Sequence, residues 1–401
     1  KYVLEMGPAS LQMCPELMML VKELKLEKEL IVPASGSQKR FVYRDGKYRP
    51  MPGSIIELLT GSFFSLKTKY QIIQERMSPP PPPEPNETVS QFFERHFGRE
   101  VIDYAIGPLV TALFAGDPDQ LLMTRTFPKL VEYEAEFGSV VRGLLANHAA
   151  SRQQAFSFRG GLQTLTDSLA SKLIGLHTGA PVEMVTKSHG KYIISSNSAE
   201  FTSSEYDVLV LALPAHKAVS LMEFTNPGLG ATLQNISYPP LAVVHSVYRK
   251  ADVGMPLKGF GAMHPKAEHQ FTAGVIWNSN VYTSTCPANE VLFTAFVGGA
   301  SMPENARKPR TEILRNVHEE LKRNYDISAD RPVFQHFYLW HHSLPQSDLY
   351  IEDALNMAQS METENILVAS NWFSGVSVPE CVKRAGEVAK KIQALATAQS
   401  A

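Results

Sequence analysis

The sequence predicts a mixed α/β plus α+β fold: a discontinuous nucleotide-type domain, built from β-α pieces at both ends and in the middle of the chain, that hosts a helical insertion and an antiparallel sheet. Three observations carry this. Near the C-terminus, "ILVASNWFSGVSVPECVKRAGEVAKKI" reads as an apolar strand, a glycine turn at Gly375 and a helix with Val378, Cys381, Val382, Ala385, Val388 and Ala389 on one face. In the middle, "VLVLALP" is too continuously apolar for a one-sided sheet and predicts a buried parallel strand over Val208 to Leu213. Between 240 and 340, "LAVVHSVYRK", "TAGVIWNS" and "VLFTAFVGG" alternate as antiparallel strands do, with one helix at about 309 to 323.

The remaining elements follow in order. "KYVLEMGP" opens inside a strand pattern without an initiator methionine or polar leader, which predicts a fragment of a longer chain. Leu17, Leu20, Val21 and Leu24 mark an amphipathic helix, and "KRFVYRDGKYRPMP" alternates like a hairpin around Asp45-Gly46. Residues 54 to 78 have a helical period. "SPPPPPEP" cannot be helix and favours polyproline II, a stiff surface connector. Thr88 and Gln91 make a capping box that opens a largely helical stretch to about Leu145. From Pro181 a short meander turns at His189-Gly190 and Asn197-Ser198 before the "VLVLALP" strand.

With 401 residues the chain can form two or three domains, and 44% apolar against 19% charged residues allows a substantial core. A net charge of −2 gives no support to phosphate-driven nucleic-acid binding. Cys14, Cys286 and Cys381 are odd in number, far apart and without a CxxC pair, which disfavours a disulfide framework and structural zinc and predicts a reducing compartment. No 18-residue apolar stretch is free of charge and the start lacks signal-peptide regions, so a soluble or at most peripheral protein is expected. The sequence holds no GxSxG, HExxH or GxxxxGK[ST] motif. His341 and His342 are adjacent, so in a strand they point to opposite faces and make a poor chelate. Asp117 and Asp119 flank Pro118 and read as a helix cap rather than an acid/base pair.

The pieces "EMGPAS", "KRFVYRDGKYRPMP", "QFFERHFGREVIDYAIGPLVTALFAGDPDQL", "FSFRGGLQTLTDSLA", "YDVLVLALP", "LKGFGAMHP", "FTAFVGGAS" and "NWFSGVSVPECVKRAG" resemble, in the same order, the protoporphyrinogen oxidase family of the flavin amine-oxidase-like superfamily. Each piece alone is weak, but together they span essentially the whole chain. The resemblance implies an FAD-binding Rossmann-like domain, a substrate domain and a helical membrane-associating domain. It places FAD binding in 1–28, 150–215 and 355–401, substrate binding in 29–53 and 216–354, and the helical domain in 54–149. The implied reaction is oxidation of protoporphyrinogen IX to protoporphyrin IX by oxygen with release of hydrogen peroxide, in heme biosynthesis. The implied setting is cytoplasmic or peripheral on the inner membrane face in a bacterium and mitochondrial in a eukaryote, with a homodimer left open.

Carried over residue by residue, Gly7, Pro8, Ala9 and Ser10 match a turn that passes the flavin, and Val182 matches the position beside the adenine. Asn371, Gly375, Val376, Ser377 and Val378 match the turn that faces the flavin ring, where a helix N-terminus favours the negative charge of the reduced flavin. Arg40 matches the arginine that meets a substrate propionate; Met263, Ile276 and Phe296 match apolar positions against the macrocycle, and Ala112, next to Phe114, the opposite wall. The implied chemistry needs no side chain as a strong base, since the flavin takes hydride and the protein positions the substrate. Two departures stand out. Ala9 replaces a polar residue common in relatives, and the GxGxxG fingerprint for the FAD pyrophosphate is not among these residues; either the natural chain begins earlier or this is a degenerate relative. An amine oxidase or carotenoid desaturase of the same superfamily, and an inactive porphyrin-binding relative, are the alternatives.

Overall fold

The alternation in residues 240–340 becomes most of a seven-stranded sheet, ordered Phe334–Trp340, Leu241–Arg249, Glu290–Gly298, Gly274–Ile276, Gly261–Met263, Arg40–Arg44 and Lys47–Pro50. Its neighbours are antiparallel except Gly261–Met263 beside Arg40–Arg44, which run parallel. The structure, a computed structural model, describes residues 1–147, 154–198, 201–223 and 225–400. They form two units: Lys1–Ala9, Ile31–Arg152 and Tyr238–Leu344 in the first, Ser10–Leu30, Gln153–Ser237 and Pro345–Ala401 in the second.

In the first unit, one face of the sheet is closed by the helix Arg310–Asn324, whose Ile313, Val317 and Leu321 pack on Ala242, Val244, Val275 and Phe293. The hairpin turns where expected, with Asp45 at φ 53° and Gly46 at φ 74°, the left-handed pair that a two-residue turn requires. A second core joins Phe92, Phe93, Val110 and Val140 of the helical stretch to Val42 and Met263 of the sheet. The capping box forms: the Gln91 N–H donates to Thr88 Oγ1 at 3.3 Å and the Thr88 N–H to Gln91 Oε1 at 2.8 Å. The helical period of 54–78 divides into Ile55–Thr60 and Leu66–Met77, because Gly61 ends the first helix and the Ser65 hydroxyl caps the second. Asp117 accepts from the Asp119 N–H at 3.1 Å, so this acid shapes a turn rather than capping a helix.

The opening strand does not form. Residues 2–6 lie beside the sheet, the Val3 N–H donating to Thr285 O at 2.9 Å and the Tyr2 hydroxyl to Glu290 at 2.9 Å.

In the second unit, Leu209–Leu211 and Ile366–Val368 pair in parallel, beside the meander Met184–Ser188, Lys191–Ser198 and Phe201–Tyr206. The "VLVLALP" strand is shorter than predicted, and Val210 is 38% exposed, so it is not buried on both faces. Asn197 and Ser198 lie in a strand with a bulge, not a turn; the link to the next strand falls outside the described residues. On the helix Val378–Ser400, Val378 and Val382 pack with Leu17, Val21 and Phe158, but Ala385 and Ala389 are exposed. Arg384 is buried instead, its Nε donating to Val368 O at 2.8 Å, its Nη2 3.0 Å from Glu362 and its guanidinium over Phe373 at 4.4 Å.

Candidate active site

Sheet register decides which predicted residues meet. In one row Phe296, Gly274, Met263 and Val42 lie directly opposite one another on successive strands; in the next, Thr294, Ile276, Gly261 and Arg40 do. Directly opposed residues share a face, as do residues two apart along a strand, so Arg40, Met263, Ile276 and Phe296 all rise from one face. It is the face opposite the Arg310–Asn324 helix. Met263 is buried, Ile276 and Phe296 half-buried and Arg40 exposed.

Two glycines form the floor between them. Gly261 separates Arg40 from Ile276, and Gly274 separates Met263 from Phe296. A Cβ at Gly261 would lie 2.2 Å from Val275 O, and one at Gly274 2.8 Å from Ala262 O, so the close strand packing excludes any side chain there. The Arg40 guanidinium lies over the Phe260 ring at 5.6 Å. Crowding around it lowers its pKa from the ordinary value, yet its solvent exposure decides the matter and it stays charged. Among the described residues no carboxylate forms a salt bridge with it.

Ala112 and Phe114 sit on the helix Gly107–Phe114, Ala112 exposed and Phe114 half-buried against Phe127. The end of that helix is tied to the end of the Phe296 strand: the Ala300 N–H donates to Ala115 O at 2.7 Å and the Ser301 hydroxyl to Gly116 O at 3.0 Å. Gly7 and Pro8 are exposed and Ala9 half-buried; a Cβ at Gly7 would meet nothing within 4 Å, which leaves room for a ligand against its backbone.

The second unit supplies a different piece. Ser370 Oγ and Trp372 Nε1 donate to Leu213 O at 2.6 and 3.2 Å, binding together the carboxyl ends of the two parallel strands, where open α/β sheets hold their ligands. Asn371 begins the short helix Asn371–Ser374, and Gly375 follows at φ 110°, a conformation that favours glycine. Ser377 is engaged by Glu380: its hydroxyl donates to the carboxylate at 2.6 Å and its N–H at 3.1 Å, while the Glu380 N–H returns to Ser377 Oγ at 3.3 Å. The helix start therefore already holds one carboxylate, and that carboxylate also lies beside Gly375, where an added Cβ would meet it at 2.5 Å. Val182, exposed, lies at the root of the meander, and Ser10 is half-buried just before the strand Leu11–Gln12.

Each unit by itself has a feature that fits a flavin: in the second the glycine turn at the strand ends, and in the first the open backbone at Gly7. Sequence reasoning missed Gly261, Gly274 and Phe260, although an isolated glycine inside a strand pattern is a signal of close backbone approach.

The chain is 29% identical over 407 residues to protoporphyrinogen oxidase 2, chloroplastic/mitochondrial, of Arabidopsis thaliana, covering 92% of this chain and 80% of that one. To coproporphyrinogen III oxidase of Bacillus subtilis (strain 168) it is 25% identical, covering 95% and 84%. A crystal structure from Exiguobacterium sp. 255-15 assigned to protoporphyrinogen oxidase shares its fold, with a TM-score of 0.82 at 18% identity over 98% of this chain and 88% of that one. The family profile described as flavin containing amine oxidoreductase matches residues 1–393, and the chain belongs to that family as an FAD-dependent oxidoreductase.

Proposed function

We propose that this protein oxidises protoporphyrinogen IX to protoporphyrin IX, with oxygen as final acceptor and hydrogen peroxide as by-product. The observation that carries the reading is the sheet face on which one exposed guanidinium, Arg40, borders an apolar platform with a side-chain-free floor at Gly261 and Gly274. A flat macrocycle with carboxylate arms suits that arrangement, since its rings need an apolar bed and its carboxylate a fixed cationic fork. The likeness to the Arabidopsis thaliana protoporphyrinogen oxidase supports the choice of substrate.

FAD held there would supply hydride acceptance from the methylene bridges of the substrate, with oxygen as its reoxidant. The chain's own work is positioning. Arg40 holds a propionate; Met263, Ile276 and Phe296 bed the rings, with Ala112 and Phe114 as the opposite wall. Gly7, Pro8, Ala9 and Ser10 pass the flavin, Asn371, Gly375, Val376, Ser377 and Val378 face its ring system, and Val182 stands by the adenine. The domain limits given above remain part of the proposal.

The helical stretch 54–149 is read as a peripheral membrane surface. On the helix Leu66–Met77, Leu66, Tyr70, Ile73 and Met77 are 83, 65, 45 and 73% exposed at helical spacing, with Lys67 and Arg76 on the same helix to meet anionic headgroups. No helix among the described residues is long and apolar enough to cross a membrane.

The test is oxidation of protoporphyrinogen and of coproporphyrinogen, the substrate in the name of the Bacillus subtilis relative, by the FAD-loaded full-length protein in air, followed by porphyrin fluorescence and oxygen uptake. Faster oxidation of protoporphyrinogen supports the proposal; faster oxidation of coproporphyrinogen moves the substrate to the four-carboxylate macrocycle. No turnover of either would leave a superfamily enzyme of another substrate or an inert porphyrin binder.

A further inference from the structure

Residues 2–6 run beside the first unit's sheet without joining it, so their backbone groups need partners from elsewhere. Two come from side chains. His245 Nε2–H donates to Glu5 O at 3.1 Å, and Trp340 Nε1–H donates to Met6 O at 2.7 Å. The donors stand on adjacent strands, Leu241–Arg249 and Phe334–Trp340, and grip two successive carbonyls. With the Tyr2 hydroxyl on Glu290 and the Val3 N–H on Thr285 O, residues 2–6 are anchored at four points. His245 is fully buried, and burial lowers its pKa to about 4, so the ring is neutral. Facing a carbonyl, Nε2 must carry the proton. The next residue is Gly7, around which the space opens.

We propose that His245 and Trp340 are positioning residues for the cofactor: by fixing the Glu5 and Met6 carbonyls they set where Gly7, Pro8 and Ala9 present their backbone to the flavin. This rests on the reading of those residues as flavin-facing. Neither donor touches the cofactor; both act through the peptide that leads into the turn. A histidine serves here because a buried imidazole donates from one nitrogen without bringing a charge into the core.

The experiment compares Trp340→Phe, His245→Leu and His245→Gln in the full-length protein, measuring the FAD Kd by flavin fluorescence quenching and the amide hydrogen exchange of residues 3–10. Trp340→Phe keeps an aromatic ring and loses the donor, at a site 37% exposed, so folding is preserved. Losing one neutral hydrogen bond should raise the FAD Kd about five- to tenfold and speed exchange at residues 5–9, while His245→Gln, which keeps an N–H, stays near wild type. Faster exchange with an unchanged Kd overturns the cofactor role and leaves a structural tether. Unchanged exchange overturns the tether itself. A wild-type protein that binds no FAD overturns the flavin reading of Gly7 to Ala9, and exchange then judges the tether alone.

Discussion

Arg40 and Ile276 rise from the same face of the first unit's sheet, in one register row, with Gly261 between them. Two strand spacings separate them, about 10 Å, and Gly261 puts no side chain of its own into the interval. A guanidinium at one side and an apolar bed at the other make a site for a flat, carboxylate-bearing molecule, and that geometry depends on the glycine.

Gly261→Ala should therefore be costly. Its Cβ would meet Val275 O at 2.2 Å and Ile276 Cα at 2.9 Å, both backbone atoms of a paired strand that cannot yield without breaking the ladder. Urea unfolding should show a loss of about 3 kcal/mol. Gly386→Ala is the opposite case: the residue lies within the helix Val378–Ser400 and its Cβ would meet nothing within 4 Å, so a gain of about 0.5–1 kcal/mol is expected. Equal effects from the two substitutions would contradict this account of the sheet floor.

Gly375→Ala should weaken the turn proposed to face the flavin. The residue holds φ 110°, and an added Cβ would meet the Glu380 carboxylate at 2.5 Å, displacing the group that organises Ser377. An increase in the FAD Kd on the order of tenfold follows if the turn shifts by the 1–3 kcal/mol typical of such strain. Fluorescence titration of the full-length protein measures it, and an unchanged Kd would remove Gly375 from the flavin site.

Local chemistry was legible in the sequence; long-range pairing was not. The Asp45-Gly46 hairpin and the Thr88–Gln91 box are decided by residues within a few positions of each other, and both form as read. Met263, Ile276 and Phe296 could be recognised as apolar, but their common face with Arg40 depends on the register of strands drawn from residues 40 to 298. The opening segment looked like a strand because its apolar pattern is that of one, whereas its carbonyls are satisfied by the side chains of His245 and Trp340, hundreds of residues away. Arg384, placed in an apolar stripe, is buried because Val368 O, Glu362 and Phe373 converge on it, which no periodicity reveals.

Glu100 predicts an acid limb to stability. Burial pushes its carboxyl up, but hydrogen bonds from Ser65 and Thr68 and the Arg44 guanidinium at 2.6 Å hold it at about 2 against an ordinary 4.5. Its folded-state pKa is depressed, so its contribution is complete above pH 4.5 and is lost as the pH falls from there through 2, where the unfolded chain binds the extra proton. Glu100→Gln should cost about 2 kcal/mol at pH 7 and flatten this limb. Thermal melts of both proteins from pH 7 downward give the difference; parallel curves would refute the assignment.

The exposed stripe on Leu66–Met77 predicts vesicle binding. Replacing Tyr70 and Ile73 together by Glu should reduce flotation with anionic liposomes by at least about tenfold, since each apolar side chain withdrawn from the interface forfeits roughly 1 kcal/mol or more and the new charges oppose the headgroups. Melting temperatures should not change, because both side chains face solvent. Flotation equal to wild type would locate membrane affinity elsewhere or deny it.

The central claim is that Arg40 grips a substrate carboxylate. Arg40→Ala in the FAD-loaded, full-length protein should lose a charge-assisted hydrogen bond worth about 1.5–3 kcal/mol, lowering kcat/KM for protoporphyrinogen by roughly ten- to a hundredfold while the FAD Kd and melting temperature stay unchanged. Arg40→Lys should recover only part, since an ammonium keeps the charge but not the planar fork. A rise in KM alone would mean that the propionate is held equally throughout the reaction, and a fall in kcat that the grip orients the methylene bridge. Steady-state oxidation followed by porphyrin fluorescence measures both. Wild-type kinetics in Arg40→Ala would contradict the propionate contact and with it the assignment of this face to a porphyrinogen.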